Sequence, residues 1–150
     1  MADLAAGSRV LALDFPPAVA AYDNTQITDI TSTSFIAGSP VVSATFTAPT
    51  TGRVVIAVAA NVRDSAGTQR VFVAAHIESV TTGLVVATPN AGSFGITNAP
   101  PSTVYEIHSR DTLLEGLIPG DTYFARLMYR VNGGSTADIR SRQVTVTPAR

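Results

Sequence analysis

The chain has 150 residues, 45% of them hydrophobic and 14% charged, with a formal net charge of −1 and no cysteine. That is enough apolar material for one domain with a real core, and too apolar a composition for a disordered chain. It shows no basic footprint of a nucleic-acid binder, excludes disulfides and thiolate metal sites, and lacks any run near the ~18 apolar residues of a helical membrane span.

In chain order, the first ~20 residues stand apart. "MADLAAGSRVLALDFPP" is Ala-rich, carries one apolar strand-like run at Arg9–Leu13, and ends in a proline pair. With Asp3 and no basic n-region it does not read as a signal peptide. Proline cannot donate to a sheet ladder, so Pro16 and Pro17 should end that run. We expect residues 1–20 to form an extended arm lying along another subunit, with Arg9, Val10, Leu11, Leu13 and Phe15 as attachment residues. An ordinary edge strand is the alternative.

Residues 21–150 should form one domain. Runs rich in Val, Ile, Thr, Tyr and Phe, separated by Gly, Pro, Asn and Asp, predict strands at Gln26–Thr31, Val41–Thr47, Arg53–Val62, Arg70–Ser79, Leu84–Thr88, Thr103–Ser109, Thr122–Val131 and Ile139–Thr147. "APTTG" (48–52) and "VNGG" (131–134) read as turns between strong strands. Thr88–Thr103 reads as a long surface loop, a candidate for partner contact. "RDTLLEG" (110–116) fits either one helical turn or the end of a strand. Short strands at this spacing mean a sandwich or barrel.

Two strands break simple patterning. From Thr122 to Val131 one face carries Tyr123, Ala125, Leu127, Tyr129 and Val131, the other Phe124, Arg126, Met128 and Arg130. From Val71 to Ser79, Phe72 stands on the more polar face. A half-buried strand should be apolar on one side only. Phe72, Phe124 and Met128, with Arg126 and Arg130 at the rim, are therefore the expected subunit interface; burial under loops of the same chain is the alternative. The low charge also fits a partly covered surface.

Catalytic chemistry finds little support. His76 with Glu78, and Glu106 with His108, sit two apart and so share a strand face. If those strands were neighbours the four groups could hold a divalent metal, but the spacing is a weak signal and solvent-facing polar positions explain it without function. No Gly-x-Ser-x-Gly elbow occurs, and a phosphate loop needing lysine is impossible because all ten basic residues are arginine. Asp64, Asp111 and Asp121 fall at expected turns. No catalytic, metal or cofactor-binding residue is assigned, and the chain is expected not to be an enzyme.

Two segments carry a resemblance. "ATFTAPTTGRVVIAVAANV" (44–62) resembles the signature of C1q/TNF-like jelly rolls, with Phe46, Pro49, Gly52, Val54 and Ile56 on the pattern. "LLEGLIPGDTYFARLMYR" (113–130) resembles that family's Leu-x-x-Gly-Asp-x-Tyr start of a late strand, through Leu117, Gly120, Asp121 and Tyr123. The segment "L-x-P-G-x-x-Y" also resembles a fibronectin type III tyrosine corner. That domain class runs to roughly 100 residues and usually has a core Trp, which this chain lacks. Most of the chain, including its first 17 residues, further resembles small virion proteins of tailed phages infecting actinobacteria. The absence of Lys and the Ala, Val and Arg richness fit a GC-rich host.

The resemblance implies an all-β jelly-roll sandwich of about eight strands with an extended N-terminal arm. It implies a homotrimer on a virion surface, made in the bacterial host cytoplasm. The expected partners are the major capsid protein or another virion protein, with no nucleic acid, membrane insertion or cofactor. No stalk-like repeat is visible, which favours a capsid decoration protein over a minor tail or fibre-tip protein that attaches to host surface glycans. The expected core is Phe46, Val54, Ile56, Val58, Val71, Val73, Ile77, Tyr105, Ile107, Leu117, Tyr123, Leu127, Tyr129, Val144 and Val146.

Overall fold

The computed structural model describes residues 14–98, 101–134 and 136–150. Among them run ten strands: β1 (Val19–Asp23), β2 (Ile27–Ile30), β3 (Ser43–Thr47), β4 (Val54–Asp64), β5 (Val71–Ser79), β6 (Val85–Ala87), β7 (Gly95–Thr97), β8 (Glu106–Leu114), β9 (Thr122–Val131) and β10 (Ala137–Pro148). They form two antiparallel sheets. The first has the order β1-β10-β4-β8, with β2 also on β10; the second has β3-β9-β5-β6, with β7 also on β5. The chain crosses between sheets at each step from β2 to β5 and again at each step from β7 to β10. This is the all-β jelly-roll sandwich that the sequence predicts.

Period-2 patterning explains which faces meet. Every second residue of β4 (Val54, Ile56, Val58, Ala60, Val62) is buried, as are Tyr123, Ala125, Leu127, Tyr129 and Val131 of β9. Val71, Val73, Ala75 and Ile77 of β5 and Val144 and Val146 of β10 complete the layer between the sheets. Phe46 stacks on Tyr123 with ring centroids 5.7 Å apart.

The turn before β9 holds this layer at one end. Ala48 donates to the Asp121 carbonyl at 2.9 Å, and Gly120 donates to the Ala48 carbonyl at 3.0 Å. Gly120 takes φ 84°, a conformation that a Cβ disfavours. The Tyr123 hydroxyl accepts from the Ile118 amide at 3.0 Å, so the strand is anchored back to its own turn.

Several expectations shift. Val19 and Ala20 already pair with β10, opposite Val146 and Thr145, so the first strand starts inside the expected 1–20 arm. The expected strand at Arg9–Leu13 lies outside the described residues. Residues 110–114 continue β8 and make no helical turn. The expected Thr88–Thr103 loop contains β7, which pairs with Phe72–Ala74. Tyr105 is only half-buried, and Ile107, expected in the core, is 76% exposed.

Candidate functional site

The exposure of Ile107 follows from register. Val54 of β4 is buried and pairs with Leu114, which fixes the even-numbered residues of β8 toward the sandwich. Besides Leu114 those residues are Glu106, His108, Arg110 and Thr112, all polar. The odd-numbered Ile107, Ser109, Asp111 and Leu113 face outward, with Leu113 41% exposed. Strand β8 is thus polar on its inner side and carries its apolar pair on the solvent side.

The outward face continues across the first sheet. Leu113 lies opposite Val55, Asp111 opposite Ala57, and Ser109 opposite Ala59. The next row, on β10, is Thr147, Thr145 and Gln143. Ala20 and Tyr22 of β1 follow, Tyr22 being 59% exposed. Small side chains make this face flat, and Asp111 is the one charged group between Val55 and Ala59.

One end of the face is different. Tyr105 lies between the guanidiniums of Arg63 and Arg140, 4.7 and 4.0 Å from its ring centroid. The buried Asp138 accepts from Arg63 Nε at 2.7 Å and from the Asp29 amide at 3.1 Å. Burial, and then the Asp138 carboxylate, push the Tyr105 phenol above its usual range against the pull of both arginines. A Tyr–Arg cluster beside small apolar side chains has the composition of an interface hot spot.

The expected interface residues converge on the opposite surface, the outer face of the second sheet. Phe72 lies opposite Arg130, Ala74 opposite Met128, His76 opposite Arg126, and Glu78 opposite Phe124. Arg130 stacks 4.2 Å from the Phe72 centroid and 5.2 Å from that of Phe35; Arg126 stacks 5.0 Å from Phe124. His76 approaches Phe124 at 6.1 Å and bonds Glu78 Oε2 at 3.0 Å. Phe72, Phe124 and Met128 are half-buried in the single chain, the two aromatic rings capped by these neighbours.

Of the expected arm residues, Arg9, Val10, Leu11 and Leu13 lie outside the described residues. Phe15 is half-exposed, with Arg150 stacked 5.1 Å from its ring. The two histidine–carboxylate pairs form individually, His108 Nε2 lying 3.3 Å from Glu106 Oε2, but β5 and β8 belong to opposite sheets. They do not converge, and among the described residues no group of three His, Asp or Glu side chains is placed to hold a metal.

No family model matches the chain, and no curated protein matches it in sequence. The VP2 subviral particle protein of infectious bursal disease virus superposes on 89% of this chain with a TM-score of 0.61 and 11% identity. T=1 particles derived from the same virus give 0.58 over 89%, at 11% identity. This chain is a jelly roll. It spans about a third of those capsid chains, 33% and 32%. The Eiger TNF of S. frugiperda gives a TM-score of 0.48 at 13% identity, covering 89% of this chain and 94% of its own.

Proposed function

We propose that this protein is a non-enzymatic structural component of a virus particle. More narrowly, we read it as a homotrimeric decoration protein on the capsid of a tailed phage infecting an actinobacterium. The observation that carries the reading is the inverted strand β8. It places Ile107 and Leu113 on a flat face with Val55, Ala57 and Ala59, next to the Tyr105–Arg63–Arg140 cluster. Such a face is suited to other copies of the same chain, because its apolar residues outnumber its one central charged group, Asp111. The aromatic side chains of the second sheet are already capped by Arg126 and Arg130, so the first sheet is the better-supported surface.

Two further features support the reading. The fold is one that capsid proteins use, and the sequence resembles small phage virion proteins over most of its length. Bridging neighbouring shell subunits would bury apolar area and stabilise the particle. Thermal denaturation of particles with and without the protein tests this: decorated particles should disrupt at higher temperature, and equal stability would refute a cementing role. Light scattering should report three copies per assembly.

A fibre-tip adhesin that binds host surface glycans is the second reading. An open surface depression beside β7 and β8, lined by Ala91, Thr97, His108, Ser109 and Arg110 among others, favours it, and binding of labelled protein to host cells separates it from decoration.

A further inference from the structure

On the outer face of the first sheet, two opposite charges have no ion-pair partner among the described residues. At one end of that face Arg53 pairs with Glu115 at 2.8 Å, and at the other Arg63 pairs with Asp138 at 2.6 Å. Asp111 on β8 and Arg140 on β10 remain, neither of them in an ion pair among the described residues. They do not reach each other. Asp111 lies level with Ala57 of β4 and Arg140 level with Asn61, a step of about 13 Å along the strands. Strand β4 stands between them and adds about 10 Å across the sheet.

Arg140 is nonetheless held in place. The Tyr105 ring covers one side of its guanidinium, with the centroid 4.0 Å away, and among the described residues no hydrogen bond uses its N–H groups. Stacking occupies the flat side of a guanidinium and leaves its donors to a carboxylate. Asp111 is exposed, in the same cross-strand row as Ala57. We infer that Arg140 of one copy pairs with Asp111 of the next. This rests on the reading of the first-sheet face as the contact between copies, and it names the charges that set the register of that contact.

A second copy is the occupant because it supplies both charges and the apolar surface between them. Ile107 stands in the same cross-strand row as Arg140, through Asn61. Bringing Arg140 onto a neighbour's Asp111 therefore carries the exposed Ile107 toward that neighbour's Ala57 and Ala59, whose methyl groups leave room for it. The apolar contact supplies affinity, and the ion pair selects one register and orientation. Because the two charges lie at different places on the face, the contact joins unlike patches. Head-to-tail contacts of that kind close into rings.

Sedimentation equilibrium of the full chain tests this with Asp111→Arg, Arg140→Asp and the two together. Each single reversal brings like charges together and should weaken assembly at least about tenfold. The double variant restores opposite charges and should return to within about threefold of the parent. Asp111→Arg changes an exposed side chain, so its melting temperature should match the parent's. It therefore reports on the contact even where Arg140→Asp, by uncovering Tyr105, weakens the fold. The inference fails if Asp111→Arg assembles as well as the parent, if a folded double variant stays dissociated, or if the parent is a monomer. The parent's mass judges the trimer separately. A trimer indifferent to Asp111→Arg overturns the ion pair alone. A dimer disrupted by one reversal and rescued by both supports the pair and overturns the trimer.

Discussion

Arg142 and Asp23 form an ion pair that ties β10 to β1 beneath a surface loop. The Arg142 side chain is 1% exposed, and it donates to Asp23 Oδ1 at 2.7 Å and to the Pro40 carbonyl at 2.9 Å. Arg142 is in phase with the inward Val144 and Val146. Register on β4 shifts between Arg140 and Gln143, and Ser141 takes φ 51°. The extra residue lets Ala137 and Ile139, of the other parity, face inward as well. Arg142→Ala should remove both bonds and leave Asp23 and Pro40 facing a void. The expected effect is a melting temperature lower by about 5 °C or more, read by calorimetry.

The same pair predicts a pH response. Burial pushes the Asp23 carboxyl up, but hydrogen bonds from the Thr25 amide and from Arg142 outweigh it and hold the group below its usual range. A carboxyl depressed in the folded state stabilises the protein above the unfolded value, near 4, and loses that contribution as pH falls through the folded one. Asp23→Asn should therefore lower the urea midpoint at pH 7 relative to the parent, and the gap should close as pH drops below about 4. A gap that persists unchanged at pH 3 would show that the carboxylate charge is irrelevant.

The Tyr123 hydroxyl gives a more local prediction. Tyr123→Phe keeps the stack on Phe46 and strands the Ile118 amide, so it should cost about 1 kcal/mol. Tyr123→Ala also empties part of the core and should cost about 3–5 kcal/mol. Denaturant unfolding of the two variants separates the hydroxyl from the ring.

Much of this architecture was readable from residues. The alternation of β4 and β9 follows from period-2 patterning, and the turn and strand start at Gly120, Asp121 and Tyr123 from the motif they share with known folds. What escaped has identifiable causes. Strand β1, "VAAYD", has a single β-branched residue, Val19, and it exists because β10 offers a partner. Strand β7 is only three residues long inside a polar stretch. Ile139 faces inward like Val144 despite its opposite parity because of a bulge that the sequence does not announce. For β8, "EIHSRDTLL", both parities carry apolar residues, and propensity alone favours Ile107 inside. Pairing of Leu114 with Val54 decides otherwise, and that contact is invisible until the sheet is assembled.

That parity is itself measurable. Leu127, buried in β9, should lose about 2–5 kcal/mol on substitution by Ala. Ile107→Ala should stay within about 0.5 kcal/mol, because a side chain 76% exposed contributes little to the fold. A loss at Ile107 comparable to that at Leu127 would mean that the strand faces the other way.

The two sheet faces can be set against each other by paired variants. Ile107→Ser with Leu113→Ser removes the exposed apolar pair of the first sheet without touching the layer between the sheets. It should leave unfolding of the isolated chain nearly unchanged while reducing the trimer fraction in sedimentation and the number of copies retained on particles. Phe124→Ser with Met128→Ser removes side chains that are half-buried within the chain, one of them beneath Arg126. That pair should lower the stability of the isolated chain, since the arginine loses its stacking partner. If instead the second pair disrupts assembly while the chain keeps its melting temperature, copies meet through the second sheet. The face built by the inversion of β8 would then be left for the shell.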